Sequence, residues 1–203
     1  ARSLPNHPLI FLIPCLPPPG TSSKARSMDS ISEITSSQIG DAIESMIEKI
    51  LEKHRENTEV VVVGIANGGI NLGQHLAEAL EERWKREVPF GVVDITFQRD
   101  DIGLQPISKI SLPTELPFSI DDKTVILVDD VLYSGRTARA ALNELFDQGR
   151  PAAIEFLVLV HRQATRLPIQ PDYFGFCHWA DPGKKVTLDF EFGKLQSAAI
   201  KLI

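Results

Sequence analysis

The run VILVDDVLYSGRT, residues 125–137, limits the fold more than any other stretch of the chain. Apolar, largely β-branched residues lead straight into two adjacent carboxylates, Asp129 and Asp130. Lys123–Asp130 therefore reads as a strand buried on both faces. Gly135 then makes a turn, and a helix follows with Ala138, Ala141, Leu142, Leu145 and Phe146 on one face, stopped by Gly149 and Pro151. A buried strand turning directly into a helix is half of a βαβ unit. The expected fold is therefore α/β, a mostly parallel twisted sheet with flanking helices. Ligands on such sheets gather at the carboxyl ends of the strands, where the acid pair sits.

Other segments repeat the pattern. Thr35 followed by Gln38 makes a capping box, and Ile39, Ile43, Met46, Ile47, Ile50 and Leu51 recur at helical spacing behind it. Glu59–Ile65 reads as a buried strand ending in the turn Ala66-Asn67-Gly68-Gly69, and Leu72, Leu76, Leu80 and Trp84 mark a second helix. Pro89–Phe97 reads as a strand, followed by a long polar connection rich in Pro and Gly that is a candidate functional loop. Ala153–Val160 is one more strand, and the tail after His161 reads as loops plus a short β segment, VTLDFEF.

Composition sets the boundaries of what the chain does. Of 203 residues, 43% are hydrophobic and 24% charged, the balance of a globular chain, and no run of about 18 apolar residues could span a membrane. Cys15 and Cys177 are too few for a disulfide framework and lack zinc-site spacing, so a reducing, cytoplasmic setting is the simple expectation. Residues 1–28 hold three bases and no acid, with Pro14, Pro17, Pro18 and Pro19 after a short apolar run. They read as a disordered or non-native extension, leaving residues 29–203 as one domain. That domain carries 27 acids against 18 bases, which gives no overall attraction to nucleic acid.

The chemistry centres on the turn after the acid pair. Backbone N–H groups at Ser134, Gly135, Arg136 and Thr137 would form an anion nest at a helix N-terminus. Acids beside an anion site are unfavourable unless the ligand carries both a phosphate and hydrogen-bond donors. A ribose 5-phosphate meets that condition: its hydroxyls donate to the carboxylates while its phosphate enters the nest. No GxxxxGK[ST] occurs, which argues against a Walker site, and no GxGxxG follows a strand. The plain alternative is a solvated turn capped by Asp and Ser.

VILVDDVLYSGRT resembles the 5-phosphoribosyl-1-diphosphate (PRPP) signature of type I phosphoribosyltransferases. VGI-x-x-x-GI-x-L, VDIT-x-x-RDD and GRP…LVLV-x-R…LPI-x-x-DY extend the likeness to one branch, the bifunctional pyrimidine operon attenuator and uracil phosphoribosyltransferase family of PyrR type. The resemblance implies a core sheet with a small hood, and transfer of the 5-phosphoribosyl group from PRPP to a base, uracil first, giving UMP and pyrophosphate. Asp129 and Asp130 would hold the ribose hydroxyls and Ser134, Gly135, Arg136 and Thr137 the phosphate. Asn67, Gly68 and Gly69 would approach the diphosphate, Arg99 would neutralise it on a closing loop, and His161 and Arg162 would lie at the base. Mg²⁺ would come with PRPP, reached through Asp129, and the chain would associate as a homo-oligomer, a dimer or larger.

The chain also departs from the family's pattern. Asn67 and Gly68 stand where Thr-Arg is usual, and His161-Arg162-Gln163-Ala164-Thr165 replaces Asp-Arg-Gly-His-Arg. On the first helix, Glu44, Ser45 and Glu48 occupy positions of the family's RNA surface, where acids repel phosphate. A nucleotide-sensing RNA regulator is therefore a second expectation behind catalysis, and transfer to another base a third.

Overall fold

The structure is a computed structural model that describes residues 33–54, 58–66, 68–95, 114–162, 165–177, 186–189 and 199–202. Its elements are β1 (Glu33–Ile34), α1 (Ser36–Lys53), β2 (Val60–Ile65), α2 (Ile70–Trp84), β3 (Phe90–Val93), β4 (Thr124–Leu132), α3 (Arg136–Gln148), β5 (Ala153–His161), β6 (Tyr173–Cys177), β7 (Val186–Asp189) and β8 (Ala199–Leu202). Five strands form one sheet in the order β3-β2-β4-β5-β6, every neighbouring pair parallel. A second sheet of three antiparallel strands has the order β1-β8-β7.

Alternation along the strands divides the core in two. Val60, Val62, Ile126, Val128, Leu157 and Leu159 pack with Ile43, Ile47 and Ile50 of α1 and Leu72, Leu76 and Leu80 of α2. Val61, Val63, Val125, Leu127, Phe156 and Val158 face the other way, onto Ala138, Ala141 and Leu145 of α3. With helices on both faces, every residue of β2 is buried, which is why its sequence runs Val-Val-Val-Val without polar alternation. The capping box forms: Thr35 N–H donates to Gln38 Oε1 at 3.0 Å, and Gln38 N–H donates back to Thr35 Oγ1 at 3.4 Å.

Several elements differ from the sequence expectation. β4 runs on to Leu132, because Val131 and Leu132 find partners in Val160 and His161 of β5. β3 is shorter than expected, ending at Val93. Phe146 is 60% exposed rather than part of the apolar face. At 3.6 residues per turn it lies about 80° around α3 from Ala138, past the edge of the sheet contact. β6, read as loop, pairs parallel to β5. No helix among the described residues is long and apolar enough to cross a membrane.

Below the carboxyl edge of the sheet, α1 is fastened to β5 and β6 by a buried polar cluster. Glu155 accepts hydrogen bonds from Tyr173 OH at 2.6 Å and pairs with Lys53 Nζ at 2.8 Å, and its Oε2 lies 2.9 Å from His54 Nε2. Burial pushes the Glu155 carboxyl up, but bonding from Lys53, Tyr173 and His54 together outweighs it and holds the group below its usual range. The same burial and the neighbouring carboxylate push the Tyr173 hydroxyl far up, so it stays a donor.

Candidate functional site

The carboxyl ends of β2, β4 and β5, adjacent strands of one sheet, open along the same edge. Asp129 on β4 is 5% exposed, and its Oδ1 accepts the Asp130 N–H at 2.9 Å, a local bond that orients the carboxylate. Asp130 beside it is half-buried. The turn after β2 presses directly on this pair. A Cβ on Gly68 would lie 2.6 Å from Asp129 Oδ1 and 2.7 Å from Asp130 Oδ1, closer than side chains tolerate. A Cβ on Gly69 would meet Val128 O at 1.9 Å, so the entry to α2 lies against the backbone of β4. Two glycines thus bring a main-chain loop into contact with two carboxylates.

The second half of the site is the exit from β4. Gly135 adopts φ 85, the left-handed region that glycine enters without cost, and turns the chain into α3. Gly135 itself gives α3 no side-chain cap, and the N-terminus of a helix is the kind of position at which anions bind. Ser134 Oγ accepts the Arg136 N–H at 3.4 Å, within the expected nest. Segment 165–169 packs on this turn: Arg166 N–H donates to Ser134 O at 3.0 Å, and Leu167 Cβ would lie 3.3 Å from a Cβ on Gly135.

The end of β5 completes the edge. His161 is buried, its ring edge-on to Phe174 at 5.9 Å between centroids, and burial pulls its pKa below 6.5, favouring the neutral imidazole. Arg162 follows, also buried; its N–H donates to Leu132 O at 2.9 Å, and its guanidinium carbon stands 4.3 Å from the Tyr133 ring centroid.

Of the residues expected from sequence, Gly68, Gly69, Asp129, Asp130, Ser134, Gly135, Arg136, Thr137, His161 and Arg162 all fall on or just past these three strand ends. Asn67 and Arg99 lie outside the described residues. Glu44 and Glu48 stand exposed on α1, both ion-paired to Arg83 of α2. Sequence reasoning passed over Tyr133 and Arg166. Tyr133 lies inside the signature run, and an aromatic between an acid pair and a phosphate-type turn was the available signal.

Comparison with known proteins identifies the family and the fold. A family model described as a phosphoribosyl transferase domain matches residues 30–190. The bifunctional protein PyrR of Geobacter sp. strain M21 is 50% identical over 138 residues, 66% of this chain and 76% of the relative. That of Citrifermentans bemidjiense is 43% identical over 163 residues, 78% and 90% of the two chains. Among solved structures, a hypoxanthine phosphoribosyltransferase from Staphylococcus aureus superposes with a TM-score of 0.61 at 18% identity, covering 83% of this chain and 89% of its own, a likeness of fold.

Proposed function

The chain belongs to the phosphoribosyl transferase domain family, and from that premise we propose that it transfers the 5-phosphoribosyl group of PRPP to uracil, giving UMP and pyrophosphate. The observation that carries this reading is the contact of Gly68 with the Asp129–Asp130 pair, one turn from the uncapped N-terminus of α3. A ligand that satisfies all three features presents diphosphate to the glycine loop, hydroxyl donors to the carboxylates and a phosphate to the helix terminus. PRPP has these groups in that order.

The reaction is displacement at the anomeric carbon: the C1–O bond to pyrophosphate breaks with its electron pair leaving on the diphosphate, and a base nitrogen forms the new bond to C1 as its N–H proton passes to solvent. No covalent nucleophile is required. Asp129 and Asp130 orient the ribose, the amides of residues 134–137 hold its phosphate, and Gly68 and Gly69 admit the diphosphate against the backbone. In this reading Arg99 closes over the leaving group, and His161 and Arg162 lie beside the base. The adjacent carboxylates are hard oxygen donors that suit Mg²⁺ arriving with PRPP. When bound, Mg²⁺ supplies charge neutralisation to the departing diphosphate.

The test is pyrophosphate release from PRPP by the purified chain against a panel of bases. Uracil-dependent release is expected. Release with a different base reassigns the acceptor, and no release with any base overturns the reading. The relatives are named as bifunctional proteins, and as a second reading we propose the RNA-binding attenuator role that the sequence resemblance implies. On α1, however, Glu44 and Glu48 present acid where phosphate would have to approach. Salt-sensitive, nucleotide-dependent binding of a leader hairpin would favour that second role. We further place the protein in the cytoplasm as a dimer or larger assembly, which light scattering during gel filtration measures.

A further inference from the structure

The segment Leu167-Pro168-Ile169 folds tightly on itself and rests on the turn after β4. Ile169 N–H donates to Leu167 O at 2.7 Å, a γ-turn centred on Pro168, whose ring locks the φ that such a turn requires. Both flanking side chains reach Gly135. A Cβ on that glycine would lie 3.3 Å from Leu167 Cβ and 3.7 Å from both Cβ and Cδ1 of Ile169. Just before the γ-turn, Arg166 N–H donates to Ser134 O at 3.0 Å. Beyond it, Phe156 N–H donates to Asp172 Oδ2 at 2.9 Å and Asp172 N–H donates to Phe156 O at 2.8 Å, which ties the segment to β5. Ile169 also packs on the core layer that contains Ala138, in the first turn of α3. Pro168 itself is exposed. The strap is fixed at both ends, and its middle covers the glycine that holds a left-handed backbone among the described residues.

We propose that the Leu167-Pro168-Ile169 strap positions the turn after β4, and that it thereby sets affinity for the phosphate end of the substrate rather than for the base. This deepens the phosphoribosyltransferase reading and rests on it. Glycine enters the left-handed region readily and leaves it as readily, so the residue that permits the turn does not hold it there. Rotation at Gly135 would swing the start of α3 away from Asp130 and break up the phosphate site between them. Two apolar side chains and one main-chain bond supply the restraint that glycine lacks. Leu, Pro and Ile carry no side-chain donor or acceptor, so the strap acts through the turn and not by bonding a ligand.

Steady-state kinetics with PRPP and uracil, together with calorimetry of ribose 5-phosphate binding, test this on the purified full chain. Pro168→Gly frees the γ-turn at an exposed position. It is expected to raise the KM for PRPP about three- to tenfold, with the base KM within about twofold of its starting value. The Kd for ribose 5-phosphate should rise by the same factor, and the thermal midpoint should fall by no more than one lost proline accounts for. Leu167→Ala should act in the same direction, and Leu167→Met, which keeps the volume, should hold the PRPP KM within about twofold of the parent. Gly135→Ala combined with Pro168→Gly should raise the PRPP KM by less than the product of the separate effects, because both act on one turn. An unchanged PRPP KM in Pro168→Gly overturns the proposal, as does an equal rise in both KM values, a failure of Leu167→Met to rescue, or effects that multiply. If Leu167→Ala does not fold, Pro168→Gly and the double variant decide. A wild-type chain that turns over no base removes the enzymatic reading; the strap is then judged by the Kd for ribose 5-phosphate, and absence of that binding removes the proposal too.

Discussion

Gly68 and Asp130 approach so closely that a Cβ on the glycine would sit 2.7 Å from the carboxylate oxygen. Gly68→Ala must therefore displace either the loop or the acid pair. Displacements near 1 Å cost on the order of 100-fold in rate at a positioned site. We expect kcat/KM for PRPP to fall by about that factor while far-ultraviolet circular dichroism stays unchanged. Full activity in the variant would mean that the loop and the acid pair do not act together.

Asp130→Asn keeps the shape of the half-buried side chain and removes its charge. A hydrogen bond to a charged acceptor contributes about 1.5–3 kcal/mol, which corresponds to a loss of roughly 10- to 100-fold in turnover. Thermal melting should remain close to that of the parent. Retention of full turnover would remove Asp130 from the ribose site.

Gly135→Ala puts a Cβ on a residue at φ 85 and only 3.3 Å from Leu167 Cβ. The left-handed conformation alone costs about 1 kcal/mol for an L-residue, or a midpoint about 2–4 °C lower for a chain of this size. The KM for PRPP should rise as well, since the same turn presents the helix terminus. Calorimetry and kinetics read the two effects separately.

Glu155→Ala leaves His54 and Tyr173 buried without their shared acceptor. We expect a loss of about 3 kcal/mol in urea unfolding at pH 7, the low end for a buried pair because Lys53 stays half exposed. The Glu155 carboxyl is held below 4.5, so its contribution is present above that pH and fades as pH falls through the folded-state value. The variant should therefore lose less stability than the parent on going from pH 5 to pH 3.

Burial lowers the His161 pKa from 6.5, so between the folded and unfolded values the unfolded chain binds the extra proton. Stability falls as pH drops below 6.5 and levels off once the folded-state imidazole also charges. His161→Gln should flatten this slope in unfolding measurements between pH 7 and pH 5. An unchanged slope would place the titration elsewhere.

The strands and helices that build the site were legible wherever local pattern and tertiary environment agree. Val60–Val63 and Val125–Val128 are apolar without interruption because both faces of the sheet are covered, and Thr35 with Gln38 announced α1. The acid pair and the glycine turn that follows were readable because a carboxylate beside a helix terminus calls for a particular ligand. What escaped depends on distant partners. β6 is five residues long and reached from β5 through a connection with no described helix, so only its pairing with β5 marks it as a strand. Glu155 reads as an oddity inside an apolar strand until His54, 101 residues away in sequence, is placed against it. The Arg162 guanidinium likewise comes within 4.3 Å of the Tyr133 ring centroid only because β4 and β5 are neighbours.

The paired bonds from Arg162 and Arg166 to the carbonyls on either side of Tyr133 work as a caliper. They set, in main-chain atoms alone, the gap between the end of β5 and the start of α3. Exchanging side chains at either jaw leaves the opening between the jaws as it is. In the proposed site, a ligand of another length would require these main-chain atoms to shift, and selection among ligands of equal reach would fall to the side chains that the jaws carry.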